Sequence, residues 1–322
     1  MLFDKQITAM YRANLFARQD NPYGIFYFSP ADFPGLQTHP YTFPAKAGHL
    51  LQGWFYHYED PIPGRLVVLD HGMGNGHRAY MTEIERLARA GYLVFSYDHT
   101  GCMESGGEHT NGFSQSLCDL DDCLTALKAE PALSGRSFSV MGHSWGGFST
   151  MNIAALHPDI THVVSMSGFV SVEMIVSQTF GGLLRFFKGS ILDLERKANP
   201  DFVDFNAVES LKNTDAKVLL IYSANDSVVH KNLHYDALYS ALKDRPNIRF
   251  RLEMGKDHSP NYTLDAVAYK NDFFNAYNTA VQKKQLATRE EQEAFMAHYD
   301  WRRMTAQDPS VWDAILDTLS KT

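Results

Sequence analysis

The chain has little of several features that mark whole classes of proteins. Its 322 residues include three cysteines, Cys102, Cys118 and Cys123, too few for a disulfide framework, and no CxxC pair that would indicate zinc binding or thiol exchange. No run approaches the roughly 18 consecutive apolar residues of a membrane helix. Acidic residues outnumber basic ones, 37 to 29, and a net charge of −8 argues against a nucleic-acid partner because such a chain repels phosphates.

No secretory signal is visible at the start of the sequence. The first residues contain no basic segment followed by an apolar run, which a secretory signal would have. With 44% hydrophobic and 20% charged residues, the composition is that of a globular protein with a large core. We therefore expect a cytoplasmic protein without a membrane span.

What the sequence does contain is a series of short apolar runs that alternate with helical patterns. Most runs are continuous, as in strands buried on both faces of a parallel sheet. They are Leu66–Leu69, Tyr92–Tyr97, Phe138–Met141, His162–Met166, Val218–Tyr222 and Ile248–Met254. Two further β segments in Tyr41–Tyr58 turn near Gly48, and helical patterns such as Ser114–Glu130 lie between the runs. This order predicts an α/β fold with a mostly parallel, eight-stranded sheet and helices on both faces.

Three segments depart from this alternation. Residues 1–40 are rich in aromatics, proline and glycine and predict an irregular lead-in to a domain over 41–322. About 45 residues separate two strands where one helix would suffice, which predicts a helical cap insertion at about 169–213. Helix-start signals, a Thr288–Glu291 capping box and Asp308-Pro309, predict extra helices at about 285–322. Those helices could pack on the domain or form a homodimer contact, and the sequence leaves both open.

The most informative segment is Gly142-His143-Ser144-Trp145-Gly146, a G-x-S-x-G pattern directly after a strand and before a helical pattern. Glycines flank the serine because so sharp a strand-to-helix reversal leaves no room for side chains and holds the serine in a strained turn. The N-terminus of the helix favours negative charge beside it. The pattern predicts Ser144 as a nucleophile, with a plain turn as the alternative.

Two later strand ends supply partners for that serine. Asp226 lies in the turn after one strand, and His258 lies in a glycine-containing loop after the next. The order Ser144, Asp226, His258 predicts a catalytic triad in which His258 is the base and Asp226 orients it. A helix-capping aspartate and a surface histidine are the alternatives. The rival residues are less well placed at strand ends: Asp201, Asp204, Asp215, Asp236, His230 and His234.

A glycine-rich turn follows the first buried strand, His71-Gly72-Met73-Gly74-Asn75-Gly76. We expect the backbone N–H groups of Met73 and Trp145 to hold a tetrahedral oxyanion. The same glycines mimic a dinucleotide-binding fingerprint, but the third glycine would fall at His77, so no nucleotide or other cofactor is expected. The histidines lack the spacing of metal ligands, and we predict no metal site.

These residues resemble the α/β-hydrolase superfamily, particularly the branch of serine aminopeptidases, monoacylglycerol lipases and related esterases. The segment His71–Gly74 resembles the family's oxyanion turn. Asp98–Ser105 resembles its D-x-x-G-x-G-x-S loop, with Cys102-Met103 in place of the second glycine position. The resemblance spans about Tyr41 to Pro260 and implies a serine hydrolase that works through an acyl-enzyme.

The substrate is inferred from the predicted cap, which is rich in aromatic residues. Its Phe180, Phe186 and Phe187, together with His71 and His143, are the candidate pocket residues. An apolar roof over Ser144 would favour small to medium apolar acyl or aryl esters as the small-molecule substrate. Alternatively, these rings form the core of the cap.

Other activities on the same triad stay open. An aminopeptidase needs an acidic pocket for the substrate's amine, for which Glu173, Asp193 and Glu195 are the candidates, unless they are ordinary solvated charges. We likewise interpret Asp119, Asp121 and Asp122 as mostly the solvated side of a helix. A thioesterase would use the same residues. A non-catalytic binding module on this scaffold would usually lack a triad member, and none is missing here.

Overall fold

The structure, a computed structural model, describes residues 2–21, 28–59, 61–74 and 76–321. Asn75 of the glycine-rich turn and residues 22–27 of the lead-in lie outside the described residues.

Eight strands form one sheet. They are β1 (Gln37–Pro44), β2 (Leu50–His57), β3 (Arg65–Asp70), β4 (Leu93–Tyr97), β5 (Ser137–His143), β6 (His162–Met166), β7 (Lys217–Ser223) and β8 (Ile248–Glu253). Their order across the sheet is β1-β2-β4-β3-β5-β6-β7-β8. Strand β2 is antiparallel to both β1 and β4, and the neighbours from β4 to β8 are parallel. The predicted eight-stranded, mostly parallel sheet is confirmed.

The α-helices follow the predicted alternation through the sheet and continue beyond it. They are α1 (Leu2–Tyr11), α2 (Met81–Arg89), α3 (Gln115–Ala129), α4 (Trp145–Asn152), α5 (Val172–Thr179), α6 (Lys188–Ala198), α7 (Ala207–Lys212), α8 (Tyr235–Leu242), α9 (Leu264–Gln282), α10 (Arg289–Met296), α11 (Trp301–Met304) and α12 (Pro309–Ser320). The predicted caps are present: Thr288 and Glu291 form a capping box on α10, and Asp308 caps α12.

The core lies on both faces of the sheet because successive strand residues point to opposite sides. In β3, Leu66 and Val68 join the cluster that also contains α3 and α4 residues, whereas Val67 and Leu69 join the cluster under α2 and α12. All four side chains are at most 1% exposed. This double burial explains why the strands appear in the sequence as continuous apolar runs.

The prediction of an irregular lead-in over residues 1–40 needs correction. Leu2–Tyr11 form α1, a π-helical turn continues to Phe16, and β1 begins at Gln37. The aromatic residues that suggested irregular structure anchor this segment, because Tyr11 and Phe16 are both buried in the main core cluster. The Arg18 guanidinium then ties the chain to backbone carbonyls of Ser105 and Gly107.

Between β6 and β7 the chain forms α5, a 3₁₀ helix at Gly182–Phe187, α6 and α7. The residues predicted to form a cap are therefore helical. Helix α5 is held to the loop after β7, since Gln178 donates to the Val228 carbonyl and accepts from the His230 N–H. This contact places the insertion beside the carboxyl end of β7.

Candidate active site

Ser144 occupies a strained turn between β5 and α4. Its φ of 56° and ψ of −110° lie in a region that side-chain-bearing residues rarely adopt. The flanking glycines are required sterically: a Cβ on Gly142 would lie 2.2 Å from the Gly146 carbonyl oxygen, and one on Gly146 would lie 2.1 Å from the Asp70 carbonyl oxygen. The strain of the turn is therefore held by close backbone packing on both sides of the serine.

Ser144, His258 and Asp226 form a continuous chain of hydrogen bonds at the carboxyl edge of the sheet. His258 Nε2 lies 2.8 Å from Ser144 Oγ. On the other side of the ring, His258 Nδ1 lies 2.9 and 3.0 Å from the two carboxylate oxygens of Asp226. Because a carboxylate only accepts, Nδ1 carries the proton and Nε2 is the acceptor that faces the serine hydroxyl.

The Asp226 carboxylate is kept ionised although its side chain is fully buried. Burial raises the pKa of Asp226, but His258 and the Val229 N–H outweigh it and lower the pKa below its usual value. Its Oδ1 accepts from the N–H groups of Val228 and Val229 at 2.9 and 2.8 Å. These bonds fix the carboxylate that in turn holds the imidazole.

The glycine-rich turn packs directly against the serine turn. A Cβ on Gly146 would lie 2.1 Å from the Asp70 carbonyl oxygen and 2.9 Å from that of His71. Trp145 is the first residue of α4, where backbone N–H groups have no intrahelical acceptor. The residues predicted as oxyanion donors, Met73 and Trp145, thus belong to two segments in contact with each other, the glycine-rich turn and the start of α4.

His71 does not line a substrate pocket. It is fully buried, its Nδ1 donates to the Gly72 carbonyl at 2.7 Å, and its Nε2 accepts from the His99 N–H at 3.0 Å. Burial lowers the pKa of His71 to about 3, so the ring is neutral at physiological pH. Both ring nitrogens are used to hold the glycine-rich turn, and the pocket prediction for this residue is corrected.

His143 is likewise engaged by protein groups on both sides. Its Nε2 donates to the His258 backbone carbonyl at 2.7 Å, and its Nδ1 lies 2.8 Å from the Tyr80 hydroxyl. Burial lowers the pKa of His143 to about 3. Neither ring nitrogen is free for substrate, and sequence reasoning missed Tyr80 because no motif marks it.

A second histidine–carboxylate group lies under the same sheet edge. His99 is fully buried, with Nε2 3.0 Å from Asp70 and Nδ1 3.2 Å from Asp119. Burial alone would lower the pKa of His99, but the two carboxylates raise it to about 10. Asp119 is not on a solvated helix face as predicted, because it accepts from the Thr100 N–H and hydroxyl and from the Gln115 amide.

In the loop after β4, Met103 stands at the position where the family pattern has its second glycine. Met103 adopts a φ of +45°, a conformation that usually favours glycine. Its carbonyl accepts from the Arg18 guanidinium, and its sulfur lies 3.0 Å from the Asn21 nitrogen. The N-terminal segment therefore packs on the loop where methionine replaces glycine.

The three cap phenylalanines have different surroundings. Phe180 is buried, with its ring centre 6.1 Å from that of Tyr11 on α1. Phe186 is 74% exposed and carries the Arg185 guanidinium 5.1 Å from its ring centre, while Phe187 packs on the main core. That these rings form one substrate pocket stays a prediction.

The three cap carboxylates also have partners. Glu195 is fully buried, accepting from the Tyr11 hydroxyl at 2.5 Å and from the Phe113 N–H at 2.9 Å. Burial raises its pKa to about 7. The two others are exposed and pair with cations: Glu173 with Lys188 and Asp193 with Arg196. A cleft of about 600 Å³ lies nearby between the N-terminal segment and α6, but no triad residue lines it.

Within the described ranges, no three histidine, cysteine, aspartate or glutamate side chains are grouped so as to hold a metal ion. Over the same residues, no helix combines the length and apolar character needed to cross a bilayer.

The strand order, the serine on the turn after β5, and the acid and histidine after β7 and β8 define the α/β-hydrolase class. Residues 61–243, more than half of the chain, match the family described as serine aminopeptidase, S33. The chain therefore belongs to that family.

The individual relatives are similar to this chain over only about a third of its length. The chain is 29% identical over 123 residues to a monoglyceride lipase homologue of Monkeypox virus, covering 37% of this chain and 44% of that protein. It is 31% identical over 112 residues to a monoacylglycerol lipase of Mycolicibacterium smegmatis, covering 34% and 39%. The chain thus spans less than half the length of either relative. The esterase Pf2001 of Pyrococcus furiosus has a similar fold, with a TM-score of 0.57, 16% identity and coverage of 84% and 96%.

Proposed function

We propose that this protein is a carboxylic ester hydrolase in which Ser144 is the nucleophile, His258 the general base and Asp226 the residue that orients the base. The observation that carries the proposal is the 2.8 Å contact between His258 Nε2 and Ser144 Oγ, on a ring whose other nitrogen faces Asp226. An otherwise weakly nucleophilic hydroxyl is activated by such an adjacent base.

The proposed reaction has two acyl-transfer steps. His258 Nε2 takes the Ser144 proton as Oγ attacks the ester carbonyl carbon, and the carbonyl electrons move onto the oxygen. The N–H groups of Met73 and Trp145 stabilise this oxyanion. Collapse expels the alcohol, which His258 protonates, and leaves an acyl-enzyme. Water then attacks with His258 as base, and the second collapse releases the acid and restores Ser144.

Esters of apolar acyl or aryl groups are the substrates we favour, with residues 169–213 as a cap beside the site. The lipase names of the two relatives support this class. The partners of the three acids that could bind a substrate amine also support ester substrates. Glu195 accepts hydrogen bonds from Tyr11 and Phe113. Glu173 and Asp193 form ion pairs with Lys188 and Arg196. A neutral substrate needs none of these charges.

Aminopeptidase activity is the second candidate, since the family description names that reaction. It would require a carboxylate that can bind the substrate's α-amine. We expect aminoacyl-anilides to be hydrolysed far more slowly than esters with the same leaving-group reactivity.

The test is a panel of p-nitrophenyl esters of graded acyl length beside aminoacyl-p-nitroanilides, with wild-type and Ser144→Ala protein. We expect wild-type ester turnover and a loss of at least about 10⁴-fold in Ser144→Ala, with an unchanged circular dichroism spectrum. Equal ester turnover in the two proteins would contradict the role of Ser144. Faster turnover of anilides than of esters would favour the peptidase.

A further inference from the structure

Three loops of the site are joined by one hydroxyl group and one imidazole. Tyr80 lies in a 3₁₀ turn between the glycine-rich turn and α2, and its hydroxyl oxygen accepts from the Gly72 N–H at 3.0 Å. The same oxygen lies 2.8 Å from His143 Nδ1, and His143 Nε2 lies 2.7 Å from the His258 carbonyl oxygen. This chain of hydrogen bonds therefore runs from Gly72, the residue before Met73, through Tyr80 and His143 to the backbone of His258. His143 is the residue before Ser144.

Each hydrogen bond in this chain has one permitted direction. The His258 carbonyl only accepts, so His143 Nε2 carries a proton. The neutral ring then offers Nδ1 as an acceptor, and Tyr80 must donate its hydroxyl proton there. That leaves the hydroxyl oxygen's lone pairs for the Gly72 N–H. All three donors and acceptors are matched, which fixes the relative positions of the groups.

The fit around the Tyr80 hydroxyl is close. A Cβ added to Gly72 would lie 2.6 Å from the Tyr80 hydroxyl oxygen and 3.4 Å from His143 Nδ1. Glycine at position 72 thus leaves the space that the hydroxyl fills.

The C-terminal helices hold the turn that carries Tyr80. Ala79 is buried in a cluster with Phe273 of α9, Met296 of α10 and Met304 of α11, and Tyr80 packs against the same cluster. Next to this turn, the side chain of Glu83 accepts hydrogen bonds from the amides of Asn261 and Gln307. The segment after His258, which the family resemblance leaves unexplained, therefore supports Tyr80 directly.

We propose that Tyr80, acting through His143, is a positioning residue that sets the oxyanion turn and the His258 loop relative to Ser144. The proposal rests on the proposed ester hydrolase function. Neither side chain takes part in the chemistry. Their role is to keep the donors and the base in the geometry that the transition state needs, where small displacements have large kinetic effects.

The test compares Tyr80→Phe with Tyr58→Phe, whose lost hydroxyl contacts Glu85 away from the serine. For Tyr80→Phe we expect kcat on a p-nitrophenyl ester to fall about 10- to 100-fold. KM should stay within about threefold, and affinity for a trifluoromethyl ketone that forms a tetrahedral adduct should fall with kcat/KM. Tyr58→Phe should retain wild-type kcat and affinity.

A second pair of variants covers the case in which Tyr80→Phe does not fold. His143→Gln can still donate to the His258 carbonyl and accept from Tyr80, and should retain most of the wild-type kcat. His143→Leu can do neither and should resemble Tyr80→Phe. Combining Tyr80→Phe with His143→Leu should cost little more than either change alone, because the two residues act as a unit.

The outcomes distinguish a failure of the positioning role of Tyr80 from a failure of the proposed hydrolase function. A folded Tyr80→Phe protein, or a folded His143→Leu protein, with wild-type kcat and ketone affinity would overturn the inference while leaving the ester hydrolase intact. A wild-type protein that hydrolyses no ester and is not labelled at Ser144 by a phosphonate would overturn the proposed function and this inference with it.

Discussion

Two histidine–carboxylate groups lie at the same edge of the sheet and differ in what the second ring nitrogen faces. His258 has Asp226 on Nδ1 and the Ser144 hydroxyl on Nε2, and its side chain is 18% exposed. His99 has a carboxylate near each ring nitrogen, Asp119 and Asp70, and is fully buried. The His258 ring keeps a lone pair directed at the Ser144 hydroxyl, whereas the His99 ring is held between two carboxylates.

The comparison shows that a histidine beside an aspartate is not by itself a base. A ring with carboxylates on both sides is stabilised as the cation, which cannot accept another proton. A ring with one carboxylate and one hydroxyl can cycle between neutral and charged forms during a reaction. Substitutions should therefore affect reactivity at His258 and stability at His99.

The largest expected effect is on turnover in His258→Ala. Removing the base should lower kcat by about 10⁴- to 10⁶-fold, because the serine then has no acceptor for its proton. The ring is partly exposed, and Asp226 keeps its hydrogen bonds from the Val228 and Val229 N–H groups when His258 is removed. The urea unfolding midpoint should therefore fall less than in His99→Gln. Ester kinetics and urea unfolding of the same preparation measure both. A drop of less than tenfold in kcat would place the base elsewhere.

Next in size is the loss of stability in His99→Gln. The change leaves two buried carboxylates without their shared cation and should lower the free energy of unfolding by about 3–5 kcal/mol. The wild-type contribution should be complete below about pH 6.5 and lost as the pH rises through about 10, since the folded-state pKa of His99 is raised to about 10. Urea unfolding at pH 7 and pH 10 tests this. Stability equal to wild type at pH 7 would contradict a charged His99.

The smallest expected effect concerns Glu195, a buried acid whose side-chain hydrogen-bond partner is a tyrosine, Tyr11, and not a histidine. Its folded-state pKa is raised to about 7 from an ordinary value near 4.5, so its protonated form stabilises the fold below about pH 4.5. That contribution, about 3 kcal/mol, is lost as the pH rises through about 7. Urea unfolding at pH 5 and pH 8 should show this loss in wild type but not in Glu195→Gln. Parallel pH dependence in both proteins would contradict it.

The fold and the candidate triad could be predicted because their signals are local. Strands buried on both faces appear as unbroken apolar runs, as around Val67 and Leu219. Ser144 and Asp226 each follow such a run, whereas His258 follows β8, a half-buried strand in which apolar and charged residues alternate. Parallel strands bring their carboxyl ends to one edge. Chain order and strand ends together were therefore enough to name the three residues.

Residues whose role depends on distant partners could not be predicted in this way. Tyr11 and Glu195 are hydrogen-bonded across 184 positions of the chain, and α1 gains its place from that contact and from aromatic packing. Asp119 lies among other acids on a helix, and its partners come from a separate loop. Tyr80 is one tyrosine among 16, and only the folded chain brings it to Gly72 and His143.

The central claim is that His258 activates Ser144. Peptide mapping by mass spectrometry after brief treatment with a fluorophosphonate tests it most directly. We predict one adduct, on the peptide that carries Ser144, in wild-type protein, with labelling slowed by orders of magnitude in His258→Ala and unchanged in Tyr58→Phe. An adduct on another serine, or labelling of Ser144 at the same rate without His258, would contradict the account.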